Sequence, residues 1–396
     1  MTRRQERRRR VGGWLALQAA GLGVAALAGA TLPGGALCAA LALAATLAIG
    51  HARMIAPPGT AILTYHSVSP DPAWLPWSRE TAVHPETFAR HLATLAAMRV
   101  PVLATRTYLA MRAGGDVPGG AVILHFDDGY RDNHRFAAPL LRRYAMPATF
   151  FPSLDFIEPE DSVRQPDGCE GYMRWSELAE LEADPLFEVE PHGVDHGRVP
   201  TSDRPVTYLT PENWRAHAWL QWAATPGSKH DWFRRALPKA VPIGAPVPES
   251  GLALAERGWR GGTREPEERL DRRIAETLIA CRDAFADRLG ITPQVFCWPE
   301  NKVAPHGRAI AAALGYRATT AGCGRNTAQE PAAVLSRIHI GDRAVGVRWP
   351  AMEALALRAA VRLMHGNLYW YLLVAPMNRT RAVVMRLRDR LGGDFA

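Results

Sequence analysis

Residues 122–130 read Val122-Ile123-Leu124-His125-Phe126-Asp127-Asp128-Gly129-Tyr130, an apolar run that ends in two adjacent carboxylates and a glycine. Such a run reads as a buried strand that stops in a tight turn, so both aspartates emerge at its C-terminal edge. In α/β folds that edge is where ligands bind. Two carboxylates this close resist joint ionisation unless a cation sits between them or one of them carries a proton. The pair therefore points to metal chemistry.

A cation needs further ligands, and Glu190-Pro191-His192-Gly193-Val194-Asp195-His196-Gly197 offers two imidazoles. Pro191, Gly193 and Gly197 argue against a regular helix, which places His192 and His196 on a loop or single turn after a strand around Phe187 to Val189. With 13 His in the chain the spacing alone is weak, and each His taken singly reads as an ordinary solvated or core side chain. Beside the Asp pair the balance changes. One carboxylate plus two imidazoles leaves open positions on a metal, the pattern of a catalytic site and not of a closed structural one.

In this order the motifs resemble the polysaccharide deacetylases, the NodB-homology or carbohydrate esterase 4 group. Phe126-Asp127-Asp128-Gly129 and His192-x-x-x-His196 are similar to the group's first two motifs, Ile62-Leu63-Thr64-Tyr65-His66 to its opening Tyr-His strand, and Phe296-Cys297-Trp298-Pro299 to the aromatic-Pro strand of its third. The resemblance spans roughly residues 60–345. It implies an α/β fold, a distorted (β/α) barrel of the NodB-homology type, with a divalent metal that is usually Zn2+ and hydrolysis of an N-acetyl group on an amino sugar. Carried onto this chain, Asp128, His192 and His196 hold the metal, Asp127 is the general base, and Tyr130, Trp298 and Pro299 contact substrate.

The chemistry agrees with that assignment. A divalent cation polarises an amide carbonyl and lowers the pKa of bound water to about 7. Asp127 then takes the water's proton, and a backbone N–H near Tyr130 helps hold the oxyanion. The leaving amine must also be protonated. Many members of the group end in a Leu-x-His strand whose His does this, whereas Leu335-Ser336-Arg337-Ile338-His339-Ile340 puts the Leu out of register. The acid stays open between His339 and His66. After Pro299 the chain continues Glu300-Asn301-Lys302, where related sequences commonly place an aromatic and a glycine.

The net charge of +8 is concentrated at the ends of the 396-residue chain: residues 1–10 hold six Arg and one Glu, residues 376–396 five Arg and two Asp, and the body between them sums to zero. A neutral body gives no support for nucleic-acid binding. Basic ends suit an anionic membrane surface. No charged residue occurs from Val11 to Gly50, and Leu32-Pro33-Gly34-Gly35 interrupts this run like a turn. The run exceeds the ~20 residues of one crossing. A two-span hairpin, Val11 to Thr31 and Ala36 to Ile55, is favoured over a single anchor or a cleaved signal. The six Arg place the N-terminus in the cytoplasm of a bacterial inner membrane; two spans put the body inside, one span outside.

The expected organisation is a membrane anchor over 1–56, a catalytic domain over 57–348 and a basic helical tail over 349–396. Helical spacing marks 85–98, 105–112, 133–144, 175–183 and 267–289, and apolar runs mark strands at 148–151 and 294–298. This βα rhythm implies parallel pairing. Residues 198–263, rich in Trp and Pro, break it and read as an insertion over the barrel mouth. Aromatics there stack on sugar rings or form a local core. The tail lies on the membrane interface or packs on the barrel. The five cysteines show no Cys-x-x-Cys spacing and read as free thiols.

The sequence thus describes a membrane-anchored deacetylase of an N-acetylated polysaccharide or lipid-linked sugar. A deformylase of such a lipid uses the same chemistry. A non-haem iron oxygenase also uses Asp plus two His, but its barrel lacks this βα alternation. A membrane-bound glycan-binding protein without turnover is the remaining rival, and the intact Asp127 argues against it.

Overall fold

A computed structural model describes residues 3–116, 119–165 and 167–391; residues 1–2 and 392–396 of the two terminal segments lie outside that set. Seven apolar runs become parallel strands because each is covered on both faces. They are β1 (Ala61–Tyr65), β2 (Val122–Asp128), β3 (Ala148–Pro152), β4 (Phe187–Val189) and, after the insertion, three more. The insertion holds β5 (Arg198–Tyr208) and β6 (Pro246–Leu252), which pair antiparallel, and the short hairpin of β7 (Trp259–Arg260) and β8 (Thr263–Arg264). The last barrel strands are β9 (Val295–Phe296), β10 (Ala318–Gly322) and β11 (Val334–His339), and the sheet order is β4-β3-β2-β1-β11-β10-β9.

Helices cover the outside. In chain order they are α1 (Arg3–Thr31) and α2 (Gly35–Met54), α3 (Ser78–Thr81), α4 (Pro85–Ala97), α5 (Thr105–Ala113), α6 (Ala138–Arg143) and α7 (Trp175–Ala183). They continue as α8 (Trp219–Ala224) in the insertion, α9 (Glu267–Leu289), α10 (Gly307–Ala313), α11 (Pro350–Met364) and α12 (Tyr371–Leu391). The helix expected over 133–144 opens with a π-helical turn at Asn133–Ala137 before α6. The main core joins Leu63, Leu124, Phe126 and Phe150 of the strands to Phe88 and Leu92 of α4, Leu178 of α7 and Phe285 of α9. Leu357, Val361 and Met364 of α11 belong to the same core. The expected tail over 349–396 thus divides, with α11 a structural part of the barrel and α12 outside it.

The two edge strands do not pair by a ladder. A buried carboxylate closes the seam instead: Glu190 Oε2 accepts the Gln294 and Val295 N–H groups at 2.9 and 3.0 Å. Cys297 N–H donates to Pro191 O beside it. Arg106 Nε donates to the other oxygen of Glu190 at 2.9 Å while its Nη1 reaches Glu182 at 2.6 Å. Burial, opposed by Arg106, pushes the Glu190 carboxyl up to about 7. The seam therefore depends on this side chain for hydrogen bonds that strand pairing supplies elsewhere.

α1 and α2 are long and apolar enough to cross a membrane by length and composition. Leu15, Leu22, Leu27, Leu37, Leu41 and Leu47 all point outward and are exposed, the reverse of a soluble helix pair. The helices approach closely at Gly21, where an added Cβ would lie 2.3 Å from Thr46 Oγ1, as small residues permit in membrane helix pairs. At the hairpin's base Val11 and Met54 pack with Leu363 and Leu368.

Replacing Glu190 with Ala leaves two N–H groups without an acceptor and Arg106 with Glu182 as its remaining carboxylate partner, and the expected cost is about 2–4 kcal/mol. Glu190→Gln keeps an acceptor and should lose distinctly less. Urea unfolding followed by tryptophan fluorescence checks this; equal losses for the two variants would show that seam closure does not depend on the acceptor.

Candidate active site

β2 ends in two successive left-handed residues, Asp128 at φ 72° and Gly129 at φ 74°. An L-residue is strained there, and an added Cβ on Gly129 would also lie 2.8 Å from Pro152 Cβ. The turn separates the two carboxylates that the sequence places side by side. Asp127 turns into the barrel, and Asp128 turns towards the loop after β4.

Asp127 is buried and held by Arg337 of β11 in a two-bond fork, Nη1 to Oδ1 at 2.7 Å and Nη2 to Oδ2 at 2.8 Å. Arg337 Nε donates to Asn301 Oδ1 at 3.1 Å, and Asn301 Oδ1 also accepts Ala321 N–H, so the guanidinium is itself positioned. Cys297 Sγ lies 3.6 Å from Asp127 Oδ1. Burial raises the Asp127 pKa, but Arg337, His192 and His66 outweigh it and hold the group well below the usual carboxylate range. Neither Arg337 nor Asn301 was picked out from sequence, where attention falls on the histidine two residues later in the same strand.

Asp128 Oδ1 lies 3.3 Å from His192 Nε2, and the His192 and His196 rings are 5.4 Å apart. Candidate ligand atoms of Asp128, His192 and His196 all fall within 4.8 Å of one another. His192 Nδ1–H donates to Cys297 O at 2.9 Å, which orients the ring and turns Nε2 to the cluster. Burial lowers the His192 pKa, yet Cys297, Asp127 and Asp128 outweigh it and raise it well above the usual value, so the surroundings favour positive charge at this point. Tetrahedral bonds of about 2.1 Å separate two ligand atoms by about 3.4 Å, close to what Asp128 and His192 show. These three residues fit a divalent cation. Ligand atoms of Asp127, His192 and Cys297 lie as close together, but a cation there would meet the fixed positive charge of Arg337 on Asp127 and would share His192 with the first group.

The remaining sequence candidates separate. His66 lines the cavity over the cluster, its Nε2 3.9 Å from Asp127 Oδ2, and its buried Nδ1 has no hydrogen-bond partner among the described residues. His339 stands behind it, ring centroids 5.1 Å apart, with Nε2 bound to Glu80 O at 2.7 Å. Tyr130 lines the cavity, and its hydroxyl accepts Trp77 Nε1–H. Trp298 does not reach the cavity: it is fully buried against Phe296, Ala304 and Tyr316, because its strand side faces α9 and α10. Pro299 is buried beside it, and Glu300 takes their place on the wall.

The cavity has a volume of ≈ 650 Å³. Its roof is the insertion, through Val206, Trp219, Trp222 and Val247, while Trp77 and Phe156 form an aromatic side wall. Other tryptophans of the insertion, such as Trp214, fill a local core instead. The insertion's aromatics are thus divided between the cavity wall and a local core.

An acidic pair and two histidines at the C-terminal strand ends of a parallel barrel define a hydrolase of the α/β-barrel class. Residues 114–226 match the polysaccharide deacetylase family model. The fold is similar to the deacetylase domain of BpsB from Bordetella bronchiseptica, at 17% identity and TM-score 0.50, covering 72% of this chain and 97% of that one. A de-N-acetylase from Aggregatibacter actinomycetemcomitans is 18% identical, with TM-score 0.49 and coverage of 70% and 94%. IcaB from Ammonifex degensii is 20% identical, with TM-score 0.47 and coverage of 75% and 96%. No curated protein sequence matches the chain.

Purified protein should carry about one divalent ion per chain, and His192→Ala or Asp128→Ala should remove it. Elemental analysis showing full occupancy in both variants would reject the ligand set.

Proposed function

We propose that the protein is a metal-dependent, membrane-anchored deacetylase that removes N-acetyl groups from the amino sugars of a lipid-linked glycan. The observation that carries this reading is the division of labour between adjacent carboxylates: Asp128 faces two imidazoles while Asp127 is held apart on Arg337. Asp128, His192 and His196 are the residues that would hold the cation, Zn2+ by their chemistry. A cation there polarises the acyl carbonyl and acidifies water.

The chain's own groups account for the remaining steps. Asp127 accepts the proton of the attacking water, and the Arg337 fork keeps it ionised and in one orientation. The Tyr130 N–H, between the flanking bonds Met173 N–H to Gly129 O and Arg131 N–H to Gly171 O, stabilises the developing oxyanion. His66 delivers a proton to the amine: it lines the cavity with its Nε2 3.9 Å from Asp127 Oδ2, whereas His339 Nε2 is turned to Glu80 O. Trp77, Trp219 and Trp222 offer faces for a sugar ring and exclude water.

The hairpin supports retention in the membrane with the barrel on the cytoplasmic side. Arg3 Nη2 donates to Arg337 O at 2.6 Å and its Nη1 to Met364 Sδ at 3.4 Å, so the arginine-rich N-terminus docks on the barrel at the same end of the hairpin. At 1.5 Å per residue, α1 and α2 reach about 43 and 30 Å, each enough for a crossing.

Purified wild-type protein should release acetate from N-acetylated lipid-linked sugars; release of formate alone from the formylated analogue would favour the deformylase. Asp127→Asn should retain the metal yet turn over roughly 10²- to 10⁴-fold more slowly. A variant with metal and the wild-type rate would move the search for the base elsewhere.

Alkaline phosphatase fused after Ile55 should be inactive, while a fusion after Pro33 should be active. Strong activity of the Ile55 fusion would replace the hairpin by a single anchor with the barrel outside.

A further inference from the structure

A second cavity of ≈ 160 Å³ lies beside the first, lined among others by Arg79, Arg343, Arg381 and Asn378. It shares a wall with the active site. The four-residue helix α3 puts Glu80 and Thr81 on the larger cavity and Arg79 on the smaller. His339 lines the smaller one and stacks edge-on against His66, which lines the larger.

The smaller cavity concentrates positive charge. Of the acids that face it, Asp342 is committed to Arg348 Nε at 2.7 Å and to His84 N–H. Glu353 accepts Ala344 N–H at 2.9 Å, and burial together with Asp342 pushes its pKa up to about 7. His91 is held down to about 4 by burial and is uncharged. Burial and the nearby Arg348, Arg388 and Arg79 outweigh Asp342 and lower the Arg343 pKa, as expected where like charges crowd a concave site. Arg381 is near enough to Glu353 and His339 to act on both electrostatically, and Arg343 Nη1 donates to Arg79 O at 3.2 Å, which gathers these side chains around the cavity. A volume of this size exceeds what one water needs and has room for a small anionic group. Guanidinium forks suit phosphoryl oxygens better than an isolated ammonium does.

The source of that group follows from α12. Val374 and Met377 of α12 line the cavity, and Val374 also packs against the cluster of Val11, Met54, Leu363 and Leu368 at the base of the hairpin. Arg381 lies two turns, about 10 Å, further along the same helix. α12 exposes Leu372, Val383 and Leu387 between arginines, which suits the headgroup layer. The cavity thus sits where a lipid phosphate would be.

We propose that this arginine-lined cavity is a subsite for the phosphoryl group of a lipid-linked amino-sugar substrate, with the lipid running along α12 to the hairpin and the sugar reaching the larger cavity. The subsite rests on the deacetylase reading for its role, and its test does not depend on turnover. Full-length protein in detergent is titrated with farnesyl phosphate, farnesol, inorganic phosphate and phosphatidylglycerol by calorimetry. Farnesyl phosphate should bind, farnesol should not, and the other two should bind more weakly. Arg381→Gln and Arg343→Gln should each weaken farnesyl phosphate binding at least about tenfold, with Arg381→Lys recovering part of the loss. Arg381 is on a surface helix, so its variants should fold normally. Unchanged affinity in both Gln variants overturns the subsite. Inorganic phosphate binding as tightly as farnesyl phosphate overturns the lipid source, and phosphatidylglycerol doing so makes the cavity a general headgroup site. Binding without acetate or formate release from any sugar would count against the deacetylase reading alone; acetate release without binding would count against the subsite alone.

Discussion

The left-handed turn at Asp128–Gly129 is the constraint on which the site depends. A strand would send successive side chains to opposite faces. The positive φ values at the strand end instead re-aim Asp128 to the imidazoles of the β4 loop while Asp127 stays in the barrel. Two like charges become tolerable because each meets its own positive surroundings: Arg337 on one side, and the His192 and His196 cluster on the other. Pro152 packed under Gly129 leaves no room for a side chain at the pivot.

That turn places groups usefully only if the barrel brings β4, β9 and β11 to it, and here the buried polar groups matter as much as the apolar core. Glu190 closes the seam directly before His192. Cys297, just past the seam on the β9 side, accepts the His192 Nδ1–H through its carbonyl and approaches Asp127 through its thiol. Asp132, just after the β2 turn, accepts Ser67 Oγ–H and Val68 N–H, tying the loop after His66 to the same strand end. Each contact is buried, so removal of one partner leaves a desolvated group without compensation. The same polar contacts that orient the reactive side chains also hold the strand order.

The insertion and the C-terminal helix adapt this scaffold. The insertion roofs the strand ends and turns a cleft into a walled cavity with aromatic faces. α12 joins the base of the apolar hairpin to the rim of the active-site face, so the two are linked along one helix.

Much of this was legible locally. The helices at 175–183 and 267–289 and the strand at 187–189 have the expected bounds because their periodicity and their Gly and Pro punctuation are local properties. The Asp pair and the two histidines were legible as chemistry, since their residue types have few other uses together. The two apolar helices and the turn between them were legible because a long charge-free run is broken by Leu32-Pro33-Gly34-Gly35. Arg337 was not: it meets Asp127 across 210 residues, and nothing near it in the chain marks it as different from any other strand arginine. Trp298 read as a substrate contact from its motif, yet whether a side chain just past β9 turns to the cavity or to the core depends on the neighbours it packs against, here Phe296 and Tyr316. Sequence by itself determined which groups are chemically available and which segments are helix, strand or membrane span, because these follow from residue type and spacing. Which carboxylate receives the arginine, which histidine meets the cavity, and where an anion would sit beside it were decided only by the tertiary structure, because they depend on contacts between segments far apart in the chain.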